Sequence, residues 1–484
     1  MRLLVLLIFF SIQSHALTYK SDGTVLDKEG NIISDTNEQF EETPLAANQL
    51  DQARKMNGFN QWLFDNGFNQ FLESDGKPKS KICDNARENS QIWNYNNCGG
   101  FTGTNNLDIK IYTERGDEIP HRARPNKDSL LFYAWHYIDQ GENFRTKKIS
   151  PSKSPYEFQF NLIKDKDISD EINNSPLLSY LMFKNDKIII DEVSPKDRFG
   201  IVFNDETNWT SHSVGKSIVS YIAGHAICEG YIESTETTLG DWEVLNDTLY
   251  ANVKLIDLLN MNAGDQLYVK SNTFLKKKNV SPAYPPIKTT MYTILNGSKK
   301  SKNQFNYNSL PPHVVLNYLI FKIGDEKFEQ LLNEIFTNKV RMEHNSSFAL
   351  HESATYLDKS ITNTMLATRY DYLRIAKAML DDWKNDTCEG KFLKDIYDRR
   401  IKKTTKYVSD RNKHPSLYGT KEYAGFFHTG YVGIEDKPVL GMDGYGGQSI
   451  LIDFENERIV SVMAIHQNYN WKKIVFEKIK EGFN

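Results

Sequence analysis

The residues whose types and spacing could do chemistry are Ser213 and Lys216, in the run Thr210-Ser211-His212-Ser213-Val214-Gly215-Lys216-Ser217-Ile218. A serine at a helix start with a lysine three residues on puts hydroxyl and ammonium on one face, a turn apart. Acyl transfer needs a hydroxyl that loses its proton as it attacks, a base to take that proton, and donors for the oxyanion. Ser213 could supply the hydroxyl and Lys216 the base, with no histidine required. The tetrapeptide alone is weak: Ser150-Pro151-Ser152-Lys153 has the same form, and Ser213 taken singly reads more readily as a helix N-cap than as a nucleophile. The residues after Lys216 change the balance. Ile218, Val219, Ile222, Ala223, Ala226 and Ile227 leave little polar surface before Gly230 stops the helix, and a lysine on such a core helix needs a reason.

The chain around this helix has 484 residues, 39% hydrophobic and 25% charged, with a formal net charge of −4. That is globular composition, enough for two or three domains, with no basic footprint for nucleic acid. Short lysine runs such as Lys276-Lys277-Lys278 read as solvated loops. Met1 to Ile12 is one positive charge followed by an apolar core too short to span a bilayer, and Ser14-His15-Ala16 offers small residues for cleavage. Residues 1–16 are therefore expected to be a secretory signal peptide, with no integral membrane segment after its removal and a periplasmic or extracellular location.

Four cysteines then face an oxidising compartment. Cys83 and Cys98, close together in a loop-rich region, are expected to pair; Cys228, on the Ser213 helix, is expected to be a buried free thiol. Metal-ligand spacing is absent, with no C-x-x-C and no zincin-type histidine pair, so no metal or other cofactor is expected.

The elements that must hold the Ser213 helix can be read from pattern. Residues 17–165 read as an N-terminal region of unassigned function, with a helix around Leu45 to Leu72 and partly alternating strands at 107–113 and 130–137, a small β-rich domain. From 170 to 484 the texture changes. Ser179 to Phe183 and Lys187 to Asp191 flank Lys184-Asn185-Asp186, a hairpin signal. Helices are expected from 253 to 264, from about 312 to 323 with Gly324 as the stop, from 327, and from 368 to 383. Strands return at 426–432, 447–453 and 458–465, with Asn456-Glu457 as a turn and a closing amphipathic helix at 472–479. Hairpin, helices, then hairpins predict an α/β (α+β) fold: an antiparallel sheet flanked by helices, made from both ends of this segment, with a helical lobe inserted between.

In this order the motifs resemble those of the serine β-lactamase and penicillin-binding-protein superfamily, especially its class C β-lactamase-related esterases and nylon-oligomer (aminohexanoate) hydrolases. Ser213-Val214-Gly215-Lys216 matches the Ser-x-x-Lys motif, and Phe305-x-Tyr307-x-Ser309 falls where the superfamily has Tyr-x-Asn. Ser309 replaces the asparagine that supports substrate in the β-lactamases, which argues against β-lactam hydrolysis. The third motif, Lys- or His-Thr-Gly on a strand, has two candidates: His428-Thr429-Gly430 by letters, and Met442-Asp443-Gly444-Tyr445-Gly446-Gly447-Gln448 by its spacing to Ile452-Asp453. The spacing favours Gly444, leaving His428 on a neighbouring strand.

The resemblance implies a catalytic set of Ser213, Lys216 and Tyr307, with substrate or oxyanion contacts from Ser309, Gly444, Tyr445, Gly446 and His428. Desolvation would lower the Lys216 pKa, so either neutral Lys216 or a Tyr307 phenolate could act as the base. The expected function is hydrolysis of a small-molecule ester or amide through a Ser213 acyl-enzyme. The alternative is a penicillin-binding-protein-like module that holds peptide or cell-wall fragments without turnover.

Overall fold

The structure, a computed structural model, describes residues 146–175, 177–196, 200, 203–269, 286–350, 360–404, 419–444, 447–464 and 472–483, with a few short strands nearer the N-terminus. Of those strands, β1 (Thr18–Tyr19), β2 (Val25–Leu26) and β3 (Ile32–Ser34) form one antiparallel sheet, and β4 (Trp93–Tyr95) and β5 (Phe101–Gly103) form a hairpin. The expected signal peptide, the helix near 45–72, the strands at 107–113 and 130–137, and the Cys83–Cys98 pair lie outside the described residues, as do Tyr445 and Gly446.

From residue 146 onward the chain builds two sheets. The larger has nine strands in the order β13-β14-β15-β16-β17-β18-β8-β9-β7. Its members are β7 (Gln159–Phe160), β8 (Leu177–Lys184), β9 (Lys187–Val193), β13 (Ile401–Lys402), β14 (Thr420–Ala424), β15 (Phe427–Tyr431), β16 (Val439–Gly444), β17 (Gln448–Asp453) and β18 (Arg458–Ala464). All its pairings are antiparallel except β7 with β9. The smaller sheet, in the order β10-β12-β11-β6, joins β6 (Thr146–Ile149), β10 (Trp209–Thr210), β11 (Ser346–Leu350) and β12 (Ile361–Ala367). Strands at 146–149 and 159–160, upstream of residue 170, are thus already part of these sheets.

The hairpin expected at 184–187 is present, and its chemistry explains it. Asn185 and Asp186 have φ of 50° and 61°, the left-handed pair that a tight twisted hairpin demands and that Asn and Asp adopt most readily. The last strands of the large sheet bury both faces. Leu440, Met442, Ile450, Ile452, Ile459 and Met463 point into the main core, while Val439, Leu451, Val460 and Val462 point into a second one. That period-two split is why these strands read as near-continuous apolar runs. The second core is roofed by α1 (Lys166–Asn174), through Ile168 and Ile172, and by the C-terminal helical segment, through Ile474, Val475, Phe476 and Ile479.

The main core contains α2 (Val214–Cys228), the Ser213 helix. Thirteen of its fifteen residues are buried, so it has no solvent face at all. Around it lie α3 (Leu255–Leu259), α4 (Leu310–Ile323), α5 (Asp325–Asn333), α6 (Arg369–Lys384) and α7 (Cys388–Asp398). α4 starts on Pro311-Pro312, whose fixed φ suits a first helical turn, and ends at Gly324 with φ of 85°. Among the described residues no helix is long and apolar enough to cross a membrane.

The far end of α2 corrects one expectation. Cys228 is not a free thiol: it is disulfide-bonded to Cys388 at the start of α7, 160 residues on. A mostly apolar helix favours cysteine as a small hydrophobe, but the pairing is decided by which helix packs there, and no local pattern carries that. α7 approaches so closely at Gly224 that a β-carbon there would lie 2.5 Å from the Phe392 ring. His225 Nδ1 meets Glu389 Oε1 at 3.0 Å across the same seam. Because the bond closes so long a loop, replacing both Cys228 and Cys388 by serine should cost roughly 2–5 kcal/mol. A thermal unfolding midpoint lowered by the double substitution, and lowered more by reductant in the wild type than in the double variant, is the expected result.

Candidate active site

The turn that enters α2 is held by the smaller sheet. Ser211 N donates to Met365 O at 2.8 Å, and Met365 N donates back to Ser211 Oγ at 2.8 Å, so β12 grips the residue two before Ser213. Asn363 Nδ2, also on β12, donates to His212 O at 3.1 Å. His212 itself has φ of 45°, a left-handed conformation that costs a non-glycine residue about 1–3 kcal/mol. Such strain persists only where surrounding bonds over-determine it, and it turns the chain sharply into the helix. Gly215 is required by close approach, since a β-carbon there would fall 1.7 Å from Asn363 O.

Ser213 occupies the N-cap position, yet its side chain makes no capping bond. Its hydroxyl instead accepts from Lys216 Nζ at 2.6 Å. The simple capping role that the tetrapeptide allowed is therefore not the one observed. Lys216 is buried, and desolvation lowers its pKa to about 7. Near neutral pH this lysine is thus poised between ammonium and amine. Burial and then the Lys216 charge push His212 down to about 3, so that imidazole is neutral beside the pair. Among the described residues no acceptor takes the Ser213 backbone N–H, which lies at the positive end of the helix dipole.

Tyr307 comes from the segment before α4, and its ring centroid lies 5.0 Å from Lys216 Nζ. It is held by a buried network the sequence did not single out. Asp265 Oδ1 accepts from Asn306 Nδ2 at 2.7 Å, and its Oδ2 accepts from Asn308 Nδ2 at 3.1 Å and from Tyr250 OH at 2.8 Å. The asparagines on either side of Tyr307 are thus both clamped to one carboxyl. Burial raises the Asp265 pKa against the lowering effect of these donors. Two asparagines flanking a tyrosine were the available signal; Asp265, 41 residues upstream of Asn306, had none. Asn308 Oδ1 also accepts from Leu310 N at 2.9 Å, tying the clamp to the first turn of α4. Ser309 caps that helix without a side-chain bond and remains partly exposed.

The third side of the site is β16. Gly444 ends this strand against the α2 entry: a β-carbon there would lie 2.7 Å from Ser211 O and 3.3 Å from Val214 Cγ2. Only a glycine lets the strand run that close. His428 stands on the neighbouring strand β15, paired across from Gly441, as the motif spacing predicts. Its ring lies 5.9 Å from the Tyr307 ring, so it borders the site from behind the tyrosine. Ser213, Lys216, Tyr307 and Gly444 are therefore brought together, with His428 one layer back. Among the described residues no cluster of His, Cys, Asp or Glu could hold a metal ion.

No family model matches the chain, and no curated protein matches it in sequence. Solved structures match it in fold. A Bacillus anthracis protein described as a 6-aminohexanoate-dimer hydrolase superposes with a TM-score of 0.52 at 14% identity, covering 73% of this chain and 93% of its own. That likeness shows a β-lactamase-like fold, as the element order predicts. A Bacteroides dorei protein described as a β-lactamase is also similar, at a TM-score of 0.47 and 16% identity, covering 62% of this chain and 89% of its own. Within this β-lactamase-like fold, the nine-stranded sheet and the buried helix α2 are the parts that carry the site.

Asp265→Ala removes the acceptor of three buried donors and should cost about 2–4 kcal/mol in thermal or denaturant unfolding. Gly444→Ala should leave the fold intact but displace β16 from α2, slowing reaction of Ser213 with a covalent electrophile about tenfold or more, as a misplacement of about 1 Å can.

Proposed function

We propose that this protein is a serine hydrolase that cleaves an ester or an unstrained amide through an acyl-enzyme on Ser213. The observation that carries the reading is the 2.6 Å hydrogen bond between Lys216 Nζ and Ser213 Oγ, made by a lysine whose burial brings its pKa to about 7. A surface lysine beside a serine would be a cation with no capacity to accept a proton. A buried one can be the neutral amine.

Neutral Lys216 takes the Ser213 proton as Oγ attacks the substrate carbonyl carbon. The tetrahedral oxygen is held by the Ser213 N–H, and the motif at Gly444-Tyr445-Gly446 is the sequence's candidate for a second donor. Lys216 and Tyr307 together form the proton-transfer pair: one returns a proton to the departing alcohol or amine, and water then attacks the acyl carbon as the pair accepts its proton. The ring of Tyr307 against the lysine supports this pairing, since a cation over a phenol face is stabilised and the phenolate more so. Ser309, at the start of α4, is read as a substrate contact, and His428, one layer back, supports the Tyr307 ring.

Amide or ester substrates fit better than β-lactams, because Ser309 stands where a β-lactamase has an asparagine amide. The Bacillus anthracis neighbour, described as a hydrolase of the 6-aminohexanoate dimer, shares this fold. Secretion to the periplasm or outside the cell, through the leader at residues 1–16, completes the reading.

A fluorophosphonate probe should label the wild type at Ser213 and leave Ser213→Ala unlabelled; equal labelling of both would end the assignment. Turnover of p-nitrophenyl esters should accompany labelling, whereas acylation that is never released would favour the non-turnover binding module. A chromogenic cephalosporin should be hydrolysed poorly or not at all. The Lys216 shift fixes the pH dependence. Below about pH 7 the lysine is protonated and cannot accept, so kcat/KM should rise through about pH 7 and level above it. Lys216→Met should lower kcat by about 10²–10⁴-fold, the usual worth of a general base.

A further inference from the structure

Beyond the His428 ring that packs on Tyr307 lies a second buried lysine, on a different element from Lys216. Lys403 follows β13 directly and is buried. Its Nζ donates to Thr420 Oγ1 on β14 and lies 2.9 Å from His428 Nδ1 on β15. It also sits 5.9 Å from the Tyr423 ring. The His428 ring packs edge-on to Tyr423 at 5.1 Å and lies tilted by 34° against Tyr307 at 5.9 Å. Tyr423 meets Tyr307 edge-on at 6.1 Å. Lys403, His428 and Tyr307 thus form a row across the sheet edge.

Tyr423 faces this row from β14, Asp443 from β16 and Lys216 from α2. Burial lowers the Lys403 pKa well below its ordinary value, and the Asp443 charge acts in the opposite direction. Burial raises Tyr423 well above its ordinary value, with the Tyr307 and Asp443 charges adding to it, so Tyr423 stays a neutral phenol.

A lysine ammonium has three donors and no acceptor, whereas a neutral imidazole has one of each. Where Lys403 is the donor to Nδ1, the His428 proton is on Nε2. We propose that Lys403 is a positioning residue for the hydrolase reaction: it locks His428 as the neutral Nε2–H tautomer and keeps an imidazolium from forming beside Tyr307. The proposal rests on the serine-hydrolase reading of Ser213, Lys216 and Tyr307. Its physical basis is that Tyr307 shares a proton with Lys216 in a dry site, where a second, titrating cation a ring away would move both groups' proton affinities. A His428 held neutral by a donor on Nδ1 removes that variable across the working pH range.

The test reads His428 directly. In ¹⁵N-correlated NMR of the full chain, with the His428 signals assigned by His428→Gln, the wild type should show the Nε2–H tautomer and no titration between about pH 5 and 8. In Lys403→Met the ring should titrate in that range. The acid limb of kcat/KM for a p-nitrophenyl ester should then steepen from one proton to two, with kcat lowered about tenfold, the worth of one misdirected hydrogen bond. Lys403→Gln keeps a donor without the charge and should restore the non-titrating ring and the one-proton limb. If Lys403→Met does not fold, the wild-type and Lys403→Gln measurements carry the test. A wild-type His428 that titrates freely or carries its proton on Nδ1 overturns the proposal, as does Lys403→Met leaving the ring unchanged. Absence of Ser213 labelling would sink the hydrolase reading while leaving the tautomer result standing, so the two failures are distinguishable.

Discussion

Everything in this structure that bears on chemistry depends on keeping one lysine dry. An ammonium removed from water is expensive, and a protein meets that cost either by pairing the charge with a carboxylate or by letting the group lose its proton. Here Lys216 sits on a helix with no solvent face, hydrogen-bonded to a serine hydroxyl and covered by the Tyr307 ring. Hydroxyl and phenol ring are both neutral groups. The proton therefore becomes the adjustable quantity, and burial of the helix is what makes the Ser213–Lys216 pair chemically distinct from any other Ser-x-x-Lys in a chain.

The rest of the fold serves that burial and the direction of the hydroxyl. β12 fixes the entry turn through Ser211 and Asn363 and holds His212 in a left-handed conformation. β16 seals the opposite side at Gly444, and α7 closes the far end through Cys228–Cys388. The tyrosine is placed by an independent device, the Asp265 carboxyl gripping the asparagines on either side of it. Two networks thus meet at one lysine. Precision of this kind comes from rigid neighbours and satisfied buried donors, and not from the reacting groups themselves.

Much of this was legible in the chain. The hairpin at Asn185-Asp186, the α2 helix with its lysine, the Gly324 stop and the closing strands can all be read from local pattern, because turn conformations and burial periodicity are set by neighbouring residues. That His428 and Gly444 fall on neighbouring strands was legible too, since spacing along a hairpin is local. Cys228 went the other way: cysteine type and an apolar helix predict burial but cannot name a partner 160 residues distant. Asp265 and Lys403 were invisible for the same reason, as ordinary charged residues in unremarkable sequence whose burial is created by elements far away in the chain.

By itself, then, the sequence determined the order of the candidate groups and the class of fold that could hold them. A serine and lysine one turn apart on an apolar helix, a tyrosine before a Pro-Pro helix start, and a glycine-rich strand are short-range facts. Tertiary structure alone decided that Ser213 bonds Lys216 in place of capping its helix, that a single carboxyl holds Tyr307 from both sides, and that a second lysine stands behind His428. The physical reason is that hydrogen-bond partners and desolvation are properties of a packed neighbourhood, and a neighbourhood is assembled from segments whose separation along the chain carries no information about their distance in space.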